Sequence, residues 1–354
     1  MAYTQVPQIS SAGIVNAASY AQPISPGSLV SIFGTNLAAA RATATGLPLP
    51  TGLMGTSVSV NGVTAPLLFV SAGQINLEIP SAASACYGCG EFAASLVVTT
   101  VAGSSAAVQV PISVDAPAVF TMDASGCGQA DALNVAPDGS ISQNSLSNSA
   151  APGDYISLFG TGFGPVYSPP TDGTAAKGPQ GLEFASGVTL GFLTGTAPAS
   201  ANITPTYAGL APTLVGVDQM NFQIPKGAPE GCAVPVVIAG LPLSPTISLS
   251  IHTGRGQCSD PPVQSYGQIS LTKTIASGTS ADGESDTFPS GPGMPAPQPQ
   301  PPPAAPGGYV ANTSPPSFIS APVASRACPV AGYADLSAGP ITISSATMTE
   351  WLSR

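Results

Sequence analysis

PGSLVSIFGTNL at residues 26–37 and PGDYISLFGTGF at residues 152–163 are two copies of one segment. Pro26, Gly27, Ser31, Phe33, Gly34 and Thr35 recur as Pro152, Gly153, Ser157, Phe159, Gly160 and Thr161, each 126 positions later. Recurrence at a fixed offset marks a duplicated structural unit. Further along, APLLFVSAGQINLEIP (65–80) is answered by APTLVGVDQMNFQIP (211–225). There Gln74, Asn76 and Pro80 match Gln219, Asn221 and Pro225 at an offset of 145, so the second copy holds nineteen extra residues between the blocks. They are expected within 165–205, as a surface loop or an added hairpin. A looser match joins ASLVVTT (94–100) to VPVVIAG (234–240), each followed by a second apolar run, AAVQVPISV (106–114) and TISLSIH (246–252).

The period inside these blocks is two. Ile75, Leu77 and Ile79 alternate with Asn76 and Glu78, and Met220, Phe222 and Ile224 alternate with Asn221 and Gln223. Alternation of this kind sends one face of a strand to a core and the other to water, as in antiparallel sandwiches. Asn61-Gly62, Pro26-Gly27 and Asp138-Gly139 supply turns between the runs. Pro-Gly turns the chain into a strand at 28–33. Gly34, and Gly160 in the second copy, are expected to end that strand where the backbone needs freedom from Cβ restrictions. The recurring Gln74, Asn76, Gln219 and Asn221 have two readings. They are glycan contacts, or they form the outward face or satisfy backbone groups at a sheet edge. Their presence in both copies favours the architectural reading.

The Pro-Gly block resembles the opening of IPT/TIG domains, which have an immunoglobulin-like fold. Taken with NGVTAPLLFVSAGQINLEIP and VNAASY (15–20), it is similar to the Solibacter-type C-terminal β-domain family of secreted bacterial proteins. The resemblance covers about residues 10–258. It implies an immunoglobulin-like sandwich and export, and it implies no activity. VNAASY finds only a partial counterpart in ALNVAPDGS (132–140). The expected architecture is all-β. Residues 1–13 form an extension able to donate a strand, 14–117 a first sandwich, and 118–258 a second with the insertion. Residues 259–354 form a small β-element interrupted by a Pro-rich loop at 291–308, where polyproline II conformation is favoured.

Composition narrows the function. Charged residues are 7% of the 354, and the net charge is −10 from 17 acids and 7 bases. So few scattered bases exclude a nucleic-acid interface and a polybasic membrane patch. No apolar run is long enough for a membrane span. The first ten residues have neither a basic nor an apolar leader region. Either the chain is not exported or a leader has been removed and Met1 added; six cysteines favour removal, and so a secreted or cell-surface location.

Cys232 and Cys258 are expected to pair, because strands 234–239 and 246–252 form a hairpin whose open end brings them together. The equivalent bridge in the first repeat joins Cys86 or Cys89 to Cys127, and Cys328 takes what remains or pairs between chains. Cys86-Tyr-Gly-Cys89 lacks the α/β setting of a redox motif and the further ligands of a zinc site. His252 is the single histidine. No G-x-S-x-G elbow accompanies it, so a strand-end surface position is favoured over a triad. Gly160-Thr-Gly162-Phe-Gly164 looks like a phosphate loop, but no Lys follows and no helix does. Asp282, Glu284 and Asp286 could share a calcium ion, against the plainer reading of a solvated acidic loop. Tyr87, Tyr155, Tyr167 and Tyr207 are the aromatic candidates for a glycan platform.

No catalytic residue, cofactor or metal is expected. The leading expectation is a structural or adhesive extracellular protein that self-assembles or binds other surface proteins, by donation of strand 4–15 or 341–345 to a neighbour. A carbohydrate-binding module is the second expectation, and a hydrolase with a site between domains the third.

Overall fold

The computed structural model describes residues 5–83, 92–183, 189–194, 197–239, 247–260, 270–277 and 280–287. In the first repeat one sheet contains β1 (Gln8–Asn16), β2 (Leu29–Thr35), β7 (Gln74–Glu78), β6 (Leu67–Val70) and β3 (Ala42–Thr43), in that order. The facing sheet runs β10 (Val108–Ile112), β8 (Phe92–Thr100), β4 (Ser57–Val60) and β5 (Val63–Thr64), with β9 (Gly103–Ser104) also on β8. In the second repeat one sheet runs β14 (Ile141–Gln143), β13 (Ala132–Val135), β15 (Tyr155–Thr161), β20 (Asp218–Gln223), β19 (Tyr207–Leu210) and β16 (Gln180–Gly181). A short β11 (Ala118–Val119) also pairs with β15. The facing sheet runs β12 (Gly128–Gln129), β22 (Ile247–Ile251), β21 (Gly231–Ala239), β17 (Thr189–Thr194) and β18 (Ala197–Ile203). Among the described strand pairs, only β12–β22 is parallel. The fold is all-β, with two tandem sandwiches of immunoglobulin-like type. The last described strands, β23 (Ser270–Ser277) and β24 (Ser280–Thr287), form a hairpin of their own.

The repeats match residue for residue. Val30 faces Leu77, Ser31 faces Asn76 and Ile32 faces Ile75 across β2–β7. Ile156 faces Phe222, Ser157 faces Asn221 and Leu158 faces Met220 across β15–β20. The register also equates Asn16 with Asn134, since they oppose Val30 and Ile156. Both Pro-Gly turns are of type II. Ser28 N–H donates to the Ser25 carbonyl at 3.2 Å and Asp154 N–H to the Ala151 carbonyl at 3.0 Å, with φ of 73° at Gly27 and 98° at Gly153. Only glycine takes that φ without strain at the third turn position. The next strand closes on each turn: Gly27 N–H donates to Ile79 O and Gly153 N–H to Ile224 O, both at 2.8 Å.

Each sandwich has its own apolar core. Ile14, Val30, Ile75, Val58, Leu96 and Val110 from the facing sheets meet in the first, and Ile156, Met220, Phe222, Val236, Ile247 and Leu249 in the second. A third cluster belongs to neither. Ala17, Ala18 and Leu29 of the first repeat pack against Phe120, Leu133, Phe159, Ala211 and Val217 of the second.

Three expectations are corrected and one is given its cause. Residues 8–13, expected within an extension able to donate a strand, belong to β1, paired with β2 of the same chain from Gln8–Thr35 to Asn16–Val30. The freedom from Cβ that Gly34 and Gly160 need comes from close approach and not from a positive φ. A Cβ at Gly34 would lie 2.2 Å from the Gln8 carbonyl oxygen, and one at Gly160 would lie 2.3 Å from that of Ala118. The left-handed residues are Asn36 (φ 56°) and Gly162 (φ 78°), two positions later. The polar residues of β7 do not face water: Gln74, Asn76 and Glu78 are all buried. Residues 280–287 form a strand, not an acidic loop.

Candidate functional site at the junction of the repeats

The recurring polar residues form a row beside this junction. Gln74 Nε2 donates to Asn76 Oδ1 at 2.8 Å, and Ser31 Oγ donates to the same oxygen at 3.0 Å. In the second repeat Gln219 Nε2 donates to Asn221 Oδ1 at 2.8 Å. Buried amides that bond one another stiffen the sheet, although Gln219 Oε1 is buried without a hydrogen-bond partner.

Where the repeats meet, a set of hydrogen bonds joins them. Leu29 N–H donates to Thr161 Oγ1 at 2.8 Å, and that hydroxyl donates to Gly216 O at 2.6 Å. Asn16 Nδ2 donates to Ala116 O at 2.9 Å, holding the connection between the repeats against β1. The remaining contacts come from the chain between β15 and β16. This connection runs from 162 to 179, whereas its counterpart between β2 and β3 runs only from 36 to 41. Its Asp172-Gly173 step clamps the first repeat. Gly173 N–H donates to Glu78 Oε2 at 2.5 Å and Leu49 N–H donates to Gly173 O at 2.7 Å. Ser81 N–H and Oγ–H both donate to Asp172 Oδ1, at 3.0 and 2.5 Å. Gly173 has φ of 79°, and a Cβ there would meet Leu49 O at 3.1 Å and Pro66 Cβ at 3.2 Å, so the clamp needs glycine on both counts.

Two carboxyls here depart far from their usual range. Burial pushes Glu78 up to about 8; the Gly173 N–H offsets part of this and the Asp172 charge adds to it. Burial likewise pushes Asp218 up to about 7, against the N–H groups of Phe163 and Gly162. Asp218 Oδ2 accepts from Phe163 N–H at 2.8 Å, holding the turn that carries Gly162. Burial of an unpaired carboxyl favours its neutral form, so at neutral pH Glu78 sits in the junction as a neutral acid. Sequence reasoning missed Glu78, Asp172, Gly173 and Asp218. The usable signal was where the copies disagree: Glu78 stands opposite Gln223, and Asp218 opposite Gly73.

The other candidates lie apart from this junction. Cys232 and Cys258 are disulfide-bonded, with Cα atoms 5.1 Å apart, and close the open end of the β21–β22 hairpin. Cys127 is disulfide-bonded too; Cys86, Cys89 and Cys328, which bear on its pairing, lie outside the described residues, as do Tyr87, the Pro-rich loop 291–308 and the strand 341–345. His252 Nδ1 accepts from Gly254 N–H at 3.1 Å within its own turn. Asp154, the counterpart of Ser28, accepts from Ala151 N–H at 2.9 Å and from Arg255 Nε at 2.9 Å and Nη2 at 2.5 Å, locking the second Pro-Gly turn. Tyr207 is half-buried and its hydroxyl donates to Leu210 O at 2.5 Å, whereas Tyr155 and Tyr167 are 40% and 64% exposed. Asp282, Glu284 and Asp286 lie along β24 opposite Ile275, Lys273 and Leu271. The rise of a strand spreads the outer two over about 13 Å, too far for one ion. Among the described residues no three His, Cys, Asp or Glu side chains are grouped to hold a metal, and no helix is long and apolar enough to cross a membrane.

No family model and no curated protein matches the chain. Among solved structures, the full extracellular region of plexin A4 is similar at 12% identity, over 68% of this chain and 18% of that one. The TM-score is 0.20, at which the likeness carries no argument. This chain spans less than a fifth of that protein's length.

Proposed function

We propose that this chain is a non-catalytic extracellular protein of structural or adhesive role, a self-assembling subunit of a surface filament or layer. The observation that carries the reading is the third apolar cluster with its clamp. The two sandwiches are joined by an apolar cluster and hydrogen bonds, which suits a load-bearing element more than a hinged site closing on substrate. The amide pairs Gln74–Asn76 and Gln219–Asn221 support it too, since each bonds within its own sheet. Export is supported by the Cys232–Cys258 bridge, which suits an oxidising compartment, and by the resemblance to the Solibacter-type family. Electron microscopy of the full chain, concentrated under native buffer, tests the reading. Filaments or sheets are expected; isolated single copies at every concentration overturn it.

A further inference from the structure

The junction inside the chain joins unlike ends. The Leu29 end of the first repeat meets the Phe159–Gly162 end of the second. Because the repeats are equivalent, each of those ends has a counterpart elsewhere on the molecule that the junction does not use.

The counterpart of the Phe159–Gly162 end is the Phe33–Asn36 end of the first repeat. Thr161 is fully buried by the junction, whereas Thr35 is exposed. A cleft of about 400 Å³ opens at this end, lined by Ile9, Phe33, Gly34, Thr35 and Gly73 among others. Gly73 lines it at the position where the second repeat has Asp218. The counterpart of Leu29 is Tyr155, which is 40% exposed where Leu29 is 1% exposed. The counterpart of Glu78 is Gln223, which is exposed where Glu78 is covered by the clamp.

We infer that copies of this chain join head to tail, the Tyr155 end of one copy's second repeat seating in the Phe33–Thr35 cleft of the next copy's first repeat. This inference rests on the self-assembly reading and names its contact. The occupant is fixed by continuity: the same two kinds of end already meet once within each chain. Tyrosine suits the tip, since its ring fills apolar space and its hydroxyl tolerates water before assembly. A contact between unlike ends does not use itself up, so copies add in series until a ring closes or an open filament grows. The contact between copies lacks the Asp172-Gly173 clamp, because connection 36–41 is too short to supply one. It is therefore the weaker of the two junctions and dissociates on dilution.

Sedimentation velocity and microscopy on the full chain test this with Thr35→Arg and Tyr155→Arg, both at exposed positions. Wild type is expected to lengthen with concentration. Each variant alone is expected to need at least tenfold more protein to reach the same mean length. An equimolar mixture of the two is expected to give a species of two copies and nothing larger, since each variant keeps one intact end. Unchanged thermal unfolding of both variants shows that folding is not the cause. Wild-type assemblies indifferent to both substitutions, or a mixture that stays at single copies while wild type assembles, overturn the head-to-tail contact and leave self-assembly standing. Wild type that never assembles overturns both.

Discussion

Replacing Glu78 by glutamine should make the protein more stable at pH 8 while leaving it unchanged near pH 4. The folded carboxyl is pushed by burial to about 8 from an ordinary 4.5. Between those values the unfolded chain releases a proton that the folded chain keeps. Unfolding therefore becomes easier as pH rises through this window, and the loss is complete above pH 8. Each pH unit of displacement is worth about 1.4 kcal/mol, so the full loss is roughly 5 kcal/mol. Glutamine is nearly isosteric, and its amide oxygen can still accept from Gly173 N–H without ever ionising beside Asp172. Urea unfolding followed by circular dichroism from pH 4 to 9 reads the effect. Wild type should lose stability steadily from about pH 4.5, and the variant should lose only the share owed to the other carboxyls that burial raises, Asp218 (pushed to about 7), Asp115 and Asp131. Parallel pH profiles for the two proteins would refute the argument.

Gly160→Ala should cost roughly 2–4 kcal/mol in chemical unfolding, because the new methyl lies 2.3 Å from the Ala118 carbonyl oxygen and 2.6 Å from the Phe163 ring. Asp154→Ala should cost about 2 kcal/mol at neutral pH by orphaning Ala151 N–H. Burial raises the Asp154 carboxyl, but Arg255 and Ala151 N–H together outweigh it and hold it low, so wild type and variant should converge as pH falls below the ordinary aspartate range. Cys232→Ser opens a bridge spanning 26 residues and should lower stability by about 3 kcal/mol, read as a shift in the urea midpoint.

Much of the fold was legible because the two copies check each other. The paired blocks located β2, β7, β15 and β20, and the offset of 126 against 145 aligned them in the register the sheets adopt. What alternation could not supply was the cover over each strand's second face. Period two put Glu78 and Asn76 opposite the core and hence toward water. A loop from the other repeat covers Glu78, and Gln74 and Ser31 close on Asn76. A period describes a strand, but which distant segment lies over it depends on tertiary placement. The glycines show the same limit. Gly34 and Gly160 were visible as recurring residues, yet their cause is a neighbouring carbonyl from Gln8 or Ala118, contacts that no local pattern encodes.

The third apolar cluster changes what counts as a part of this molecule. Cut between the repeats, each half would bare Leu29 or Phe159 to solvent and lose the partner that keeps it folded and dispersed. A single repeat was once the unit that was copied, but the piece that can now be transplanted or trimmed without baring apolar surface is the pair of sandwiches.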